Sequence, residues 1–411
     1  MPPKAPSRLT LALALAGCGP DTTSATSTET TSSDTSLESE SGEHSDTTET
    51  GADEDRCGDG VLDPDEDCEP LGSPCDTCTP DCRHDPLPAN EWSVELELVD
   101  LHAHDSDEHW HLIATGPAQR LAVRGSTIDG EPRLYMFTLA GEQLTVAGAA
   151  EHGFDTILDH AIGVDGDVAL LGLVNETRYI RHMLTDGSFD DAIEVSPAPD
   201  QVAITTHGFV HLTAGGSAHA ISFAGEPLWT RPGPYEQLGN ADDRIVLHSL
   251  EWQVELVAGD GTEALVWDWG FYPLPEYSRL ASNAAFMLAG IGTDGQADAY
   301  ANVLNLWTGE QTETLLVTSP VSLHYHPVAT ALDARADGWP LLAWGRCVDA
   351  LSPDGCTASW ETGVGGPENL DAVDLHRCDL LRSTRIGADG GVFVITEQLD
   401  GSAALVRRAT L

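Results

Sequence analysis

The sequence predicts an all-β chain. Three observations carry that expectation. Residues 88–411 are short β-type runs split by Gly, Asp and Pro, the punctuation of strands and tight turns. No long stretch repeats its apolar residues with the 3.6-residue helical period. A common unit also recurs through the region, about every 45 residues, the length of a four-stranded propeller blade.

The unit appears when the Asp-Gly-type turns are aligned. The strand after each turn reads RLAV from 120, DVAL from 167, FVHL from 209, RIVL from 244, AFML from 285, WPLL from 339 and GVFV from 391. A second pair of alternating runs around a Gly follows most of them: 136–144, 181–189, 220–229, 254–267 and 302–313. That is the pattern of a hairpin. Seven units predict a seven-bladed β-propeller over 88–411; an eight-bladed ring, or a sandwich with extra hairpins, is the competing architecture. The last unit ends at Leu411 one strand short, while WSVELELV (92–99) stands unassigned at the other end. If that segment completes the last blade, both termini latch the ring and no edge there stays open.

The N-terminus explains where such a domain would work. Lys4 and Arg8 form a basic head, Leu9 to Ala16 an apolar run, and Leu15-Ala16-Gly17-Cys18 closes the segment. This is the three-part layout of a secretory signal, with an apolar run too short to span a bilayer. The string L-A-G-C resembles the bacterial lipobox. That resemblance implies removal of 1–17, a diacylglycerol on Cys18 and acylation of its new amine. Several acyl chains anchor stably, so the membrane is an expected partner through the lipid. Gly19, rather than the Asp that retains some lipoproteins at the inner membrane, favours the outer membrane or cell surface.

Residues 18–56 form the tether. After Cys18 they are almost all Ser, Thr, Asp, Glu and Gly; Leu37 is the one large aliphatic residue and no Lys or Arg precedes Arg56. Such a stretch buries too little apolar surface to offset its ordering entropy. A coil of that length spans roughly 35 Å on average.

Residues 57–86 form a cysteine-rich module. Cys57, Cys68, Cys75, Cys78 and Cys82 fall within one short stretch, which in an exported chain reads as a disulfide knot rather than a zinc site. The string CGDG at 57–60, Glu66-Asp67-Cys68 and the Cys78-to-Cys82 spacing resemble the myxobacterial cysteine-rich repeat. Cys75 is additional to that pattern, and the acidic-Asn turn after the second cysteine is missing. The resemblance implies a disulfide module near a lipid anchor and no catalysis. Asp59, Asp63, Asp65 and Asp67 crowd one loop, so calcium is a candidate there, against a solvated acidic loop. Further along, Cys347 and Cys356 flank an SPDG turn and could pair. Cys378 then remains, and one hypothesis joins it to Cys75.

Two further stretches are candidate sites. His102, His104, His109 and His111 form two H-x-H pairs about an acidic turn. In strands, i and i+2 share a face, so the pairs could hold zinc, copper or nickel; an exposed loop is the alternative. His324 and His326 repeat the spacing once. Trp267, Trp269, Phe271, Tyr272 and Tyr277 form the most aromatic stretch, a candidate ligand face for a sugar or peptide, with packing between blades as the competing role. Turns such as AGEPLW resemble those of quinoprotein-type and outer-membrane-assembly propellers, where a Trp docks on the next blade. Of the tryptophans, Trp229 has that spacing and Trp267 lies further along. Gly290, Gly292 and Gly295 match a dinucleotide pattern, but a strand-like run follows instead of a helix, so they read as a turn.

The formal net charge is −48, from 67 Asp and Glu against 19 Lys and Arg. That field repels nucleic acid and anionic surfaces. Lys4 is the only lysine and leaves with the signal, which removes Schiff-base chemistry from the mature chain. The expected function is a non-catalytic envelope lipoprotein that binds a protein, glycan or envelope component. A periplasm-facing assembly scaffold and a propeller hydrolase or quinoprotein are the alternatives.

Overall fold

The computed structural model describes residues 92–98, 113–116, 118–249, 253–269, 278–281, 283–292, 299–317, 331–347, 360–365, 379–398 and 404–409. They are almost entirely antiparallel β-structure in a β-propeller arrangement. The first strand is β1 (Trp92–Leu96). Sheet I holds β2 (Ile113–Gly116), β3 (Arg120–Ser126), β4 (Pro132–Thr138) and β5 (Gln143–Ala147). A single helical turn, α1 (Ala149–His152), leads to sheet II: β6 (Thr156–Ile162), β7 (Val168–Val174), β8 (Thr177–Met183) and β9 (Ile193–Glu194). Sheet III is β10 (Pro199–Thr205), β11 (Gly208–Thr213), β12 (Ala218–Ile221) and β13 (Pro227–Arg231). Sheet IV is β14 (Tyr235–Ala241), β15 (Arg244–Ser249), β16 (Gln253–Ala258) and β17 (Ala264–Asp268). Sheet V is β18 (Ser278–Leu280), β19 (Phe286–Gly292), β20 (Ala299–Asn305) and β21 (Gln311–Val317).

These five sheets each take four consecutive strands in order. Two further sheets depart from that rule. Among the described residues sheet VI has three strands, β22 (Ala331–Ala334), β23 (Pro340–Cys347) and β24 (Trp360–Gly365). Sheet VII takes β25 (Asp379–Ile386), β26 (Val392–Gln398) and β27 (Ala404–Ala409), and its fourth strand is β1. Val94 pairs with Val406, so the N-terminal strand covers the edge that β27 would otherwise expose. The expected latch is therefore formed.

The aligned turns of the sequence join the first and second strands of each sheet. In sheet II, Gly163 N–H bonds to Asp167 O at 2.9 Å and Gly166 N–H to Gly163 O at 3.0 Å. Gly166 sits at φ +82°, a left-handed conformation that glycine adopts at no steric cost. This closes a three-residue hairpin loop with glycine in its left-handed position.

The apolar core lies between sheets rather than at one centre. Phe393, Ile395 and Val406 of sheet VII pack on Leu121, Val123 and Phe137 of sheet I. Ala122, Leu134 and Met136 of sheet I meet Ile157, Val168 and Leu170 of sheet II. The same facing occurs between II and III, III and IV, and IV and V. Sheets I to IV thus bury both faces, which is why their middle strands, such as FVHL and RIVL, read as continuous apolar runs. Each buried Leu or Phe contributes about 2 kcal/mol.

Side chains that bond to backbone tie the innermost strands together. Asp159 of β6 accepts Val202 N–H at 2.8 Å. Asn240 of β14 bonds both the N–H and the carbonyl of Ile204 in β10. Asp333 of β22 accepts Ile386 N–H at 2.7 Å, and Thr115 of β2 donates to Ile386 O at 3.2 Å.

Candidate functional site

Four innermost strands carry a bulge early in their length. The register slips between Ile157 and Asp159, Pro199 and Gln201, Tyr235 and Gln237, and Leu381 and Ser383. A bulge leaves one residue out of the ladder and re-aims it. In neighbouring sheets III and IV the two extruded residues are Asp200 and Glu236. Both line one cleft of about 360 Å³, together with the β11–β12 turn and the chain entering β14. That volume lies at the small end of ligand pockets.

A glycine approach builds the cleft wall. Gly216 sits at φ +76°, and a Cβ there would come within 2.8 Å of Gly233 O and 2.9 Å of Tyr235 N. Tyr235 N–H instead bonds to Gly216 O at 3.0 Å, so the β11–β12 turn is sewn to the start of β14. Gln201 adds a second seam. Its Nε2 donates to Glu236 O at 2.8 Å and its Oε1 accepts Leu238 N–H at 2.7 Å.

The cleft is electrostatically asymmetric. Asp200 is paired with Arg178 at 3.0 Å. Among the described residues no cation pairs with Glu236, and burial pushes its carboxyl above the usual range. Tyr235 is 7% exposed. Its hydroxyl donates to Glu255 at 2.8 Å, and Arg231 holds the other Glu255 oxygen at 3.0 Å. Burial, then Glu255, pushes the phenol up to about 12, so it stays neutral.

Two histidine clusters lie elsewhere. His182 sits between Asp167 Oδ2 at 2.6 Å and Asp190 Oδ2 at 3.0 Å, with its ring stacked on Phe223. Burial opposes its charge, but the two carboxylates outweigh burial and raise its pKa. His211 and His219 stack across β11 and β12 at 5.4 Å between ring centroids. Burial, then His219, depresses the His211 pKa to about 4, so the His211 ring is a poor site for positive charge at neutral pH.

The structure moves part of the aromatic stretch away from a ligand face. Trp269 is 1% exposed and belongs to the core between sheets IV and V. Trp267 donates from Nε1 to Leu306 O at 2.9 Å and covers Gly309 of the next sheet. Trp269 is a packing residue, because a ring covered on its faces cannot stack on a sugar, whereas Trp267 is half-buried with its N–H already committed to the next sheet. Trp267 also docks despite its different spacing: β17 places its ring beside the next outer hairpin regardless of loop length. Trp229 docks in the same way, donating to Gly259 O at 3.0 Å. Trp92 of β1 does so on Leu139 O at 3.1 Å. Gly290 and Gly292 lie within β19 rather than in a turn.

Cys347 ends β23 opposite Trp360. The remaining expected site residues lie outside the described residues: Cys18, Cys57, Cys68, Cys75, Cys78, Cys82, Cys356 and Cys378, the aspartates 59, 63, 65 and 67, the histidines 102, 104, 109, 111, 324 and 326, and Phe271, Tyr272, Tyr277 and Gly295. Among the described residues no three His, Cys, Asp or Glu side chains are grouped closely enough to hold a metal. No helix among them is long and apolar enough to cross a membrane.

The cleft escaped sequence reading, yet it left a trace. Pro199-Asp200-Gln201 and Tyr235-Glu236-Gln237 place an acid followed by Gln at matching points of consecutive units. No protein-family model matches the chain, and comparison with curated proteins finds no match.

Proposed function

We propose that the chain is a lipid-anchored envelope protein whose propeller binds a protein, glycan or envelope component, without catalysis, through the ring face carrying the Asp200–Glu236 cleft. The ring itself is read as seven blades. Contacts of β25 with both β22 and β2, alongside contacts from β2 through β6, β10, β14 and β18 to β22, support a single closed circuit. The cysteine module and tether then act as a spacer between Cys18 and the ring.

One observation carries the binding function. Two neighbouring sheets bulge at the same point and aim an acid each into one preformed, glycine-walled cleft. Bulges of this kind re-aim side chains where a ladder residue would serve packing alone. Polar groups converging in a concave site fix a ligand's orientation.

The test uses the full-length chain as its Cys18→Ser variant, so that lipid cannot contribute. Purified protein is sedimented with isolated envelope fragments. Co-sedimentation is expected, with loss of at least tenfold in affinity when Asp200→Asn and Glu236→Gln are combined. Absence of binding, or binding indifferent to the double substitution, would overturn the assignment.

A further inference from the structure

We infer that the cleft between sheets III and IV receives an organic cation, an alkylammonium or guanidinium headgroup, held against Glu236 beside the apolar wall at Pro234. This rests on the binding function proposed above and names the chemistry that the site selects.

The charges argue for a cation. Asp200 already has Arg178 at 3.0 Å, whereas Glu236 has no cation among the described residues. A half-buried carboxylate has given up part of its hydration, and an arriving positive charge restores what burial removed. Burial does raise the carboxyl of Glu236, as this picture requires. The mature chain cannot fill the site with its own ammonium group, because its only lysine is Lys4. The formal charge of −48 also draws cations toward the protein and repels anions.

The shape argues for an organic cation rather than a bare metal ion. A cleft of about 360 Å³ exceeds what one ion fills, and calcium and magnesium require six or more oxygens at short range. Pro234 and Ala214, both exposed, supply apolar wall beside the acids, suited to the stem of an alkylammonium. Tyr235, with its ring in the core and its hydroxyl on Glu255, fixes the start of β14 and so the position of Glu236 before any ligand arrives.

The experiment is calorimetric titration of the full-length Cys18→Ser chain with four probes. N-acetyl-lysine methylamide and N-acetyl-arginine methylamide represent a basic side chain of a partner protein. Spermidine represents a free polyamine. N-acetyl-norleucine methylamide is the neutral control. At least one cation should bind tenfold or more tightly than norleucine, a comparison that needs no variant. Glu236→Gln should weaken that cation about tenfold, and raising the salt should weaken it further. Tighter binding of the side-chain mimics than of spermidine assigns the source to a protein partner; the reverse assigns it to a polyamine. Equal binding of norleucine, no cation binding, or a Glu236→Gln chain that melts normally and binds unchanged overturns the inference. Envelope binding that depends on the cleft, combined with no cation binding, would end this inference while leaving the proposed function standing.

Discussion

The indole of Trp229 donates to the carbonyl of Gly259 at 3.0 Å, and its ring lies where a Cβ on Gly261 would have to go. The outer strand of sheet III is thereby fastened to the outer hairpin of sheet IV. Trp267 repeats the arrangement on Leu306 and Gly309, and Trp92 on Leu139 and Gly141. The sheets are held around the ring by interleaved tryptophans as well as by the apolar layers between them.

Gly261→Ala tests this fastening. Gly261 sits at φ +75°, and its new methyl carbon would approach Trp229 Cδ1 to 2.5 Å. Backbone strain and displacement of the indole act together, for about 2 kcal/mol of lost stability. Urea denaturation should show a lowered midpoint with an unchanged slope. A midpoint equal to wild type would mean that the indole is free to swing away.

Trp92→Ala tests the latch. Trp92 bonds to Leu139 O and its ring lies 6.0 and 5.9 Å from Phe137 and Phe393. Its removal should cost about 3 kcal/mol and loosen β1 from β27. Hydrogen exchange should then quicken at 404–409 before it quickens at 208–213. Uniform quickening would show that the latch contributes no more than any other contact.

Acid should weaken the fold through His211 and His248. Burial depresses both to about 4, below the unfolded value of about 6.5. The folded state therefore prefers the neutral rings. Their contribution is complete above the unfolded value and is lost as pH falls toward 4, about 3 kcal/mol for each. Asp159 acts in the opposite sense. Burial raises its carboxyl to about 6, so the folded chain takes up that proton first and recovers part of the loss. Denaturation at pH 7.5 and 4.5 should show net destabilisation, smaller in His211→Phe. An equal drop in both chains would remove His211 from the explanation.

His182 has the reverse sign. Burial works against its charge, yet the bonds to Asp167 and Asp190 prevail and raise its pKa. Its contribution is present below the unfolded value and fades as pH rises through the folded one. Ring-proton NMR should place its titration above that of an ordinary histidine, and Asp167→Asn should bring it down. No movement on that substitution would mean that the 2.6 Å contact is not a charged pair.

Much of the ring was legible because its signals are local. All seven aligned runs, from RLAV at 120 to GVFV at 391, are second strands of sheets, since Gly turns and alternating apolar residues depend on nearest neighbours. The pairing of 92–96 with 404–408 was legible too, from a strand missing at one end and spare at the other. The roles of Trp267 and Trp269 were not. An aromatic run looks the same whether it faces a ligand or the next sheet, and only the stacking of sheets decides. The cleft was the least legible, because it arises from bulges in two strands 36 positions apart. A bulge has no composition of its own.

Hydrogen exchange of the full-length Cys18→Ser chain, with and without isolated envelope fragments, tests the binding face most directly. Slowed exchange is expected at 212–217 and 234–238, the turn and strand start that wall the cleft. Protection confined to the opposite hairpins at 184–188 and 222–226, or no protection anywhere on the ring, would contradict it.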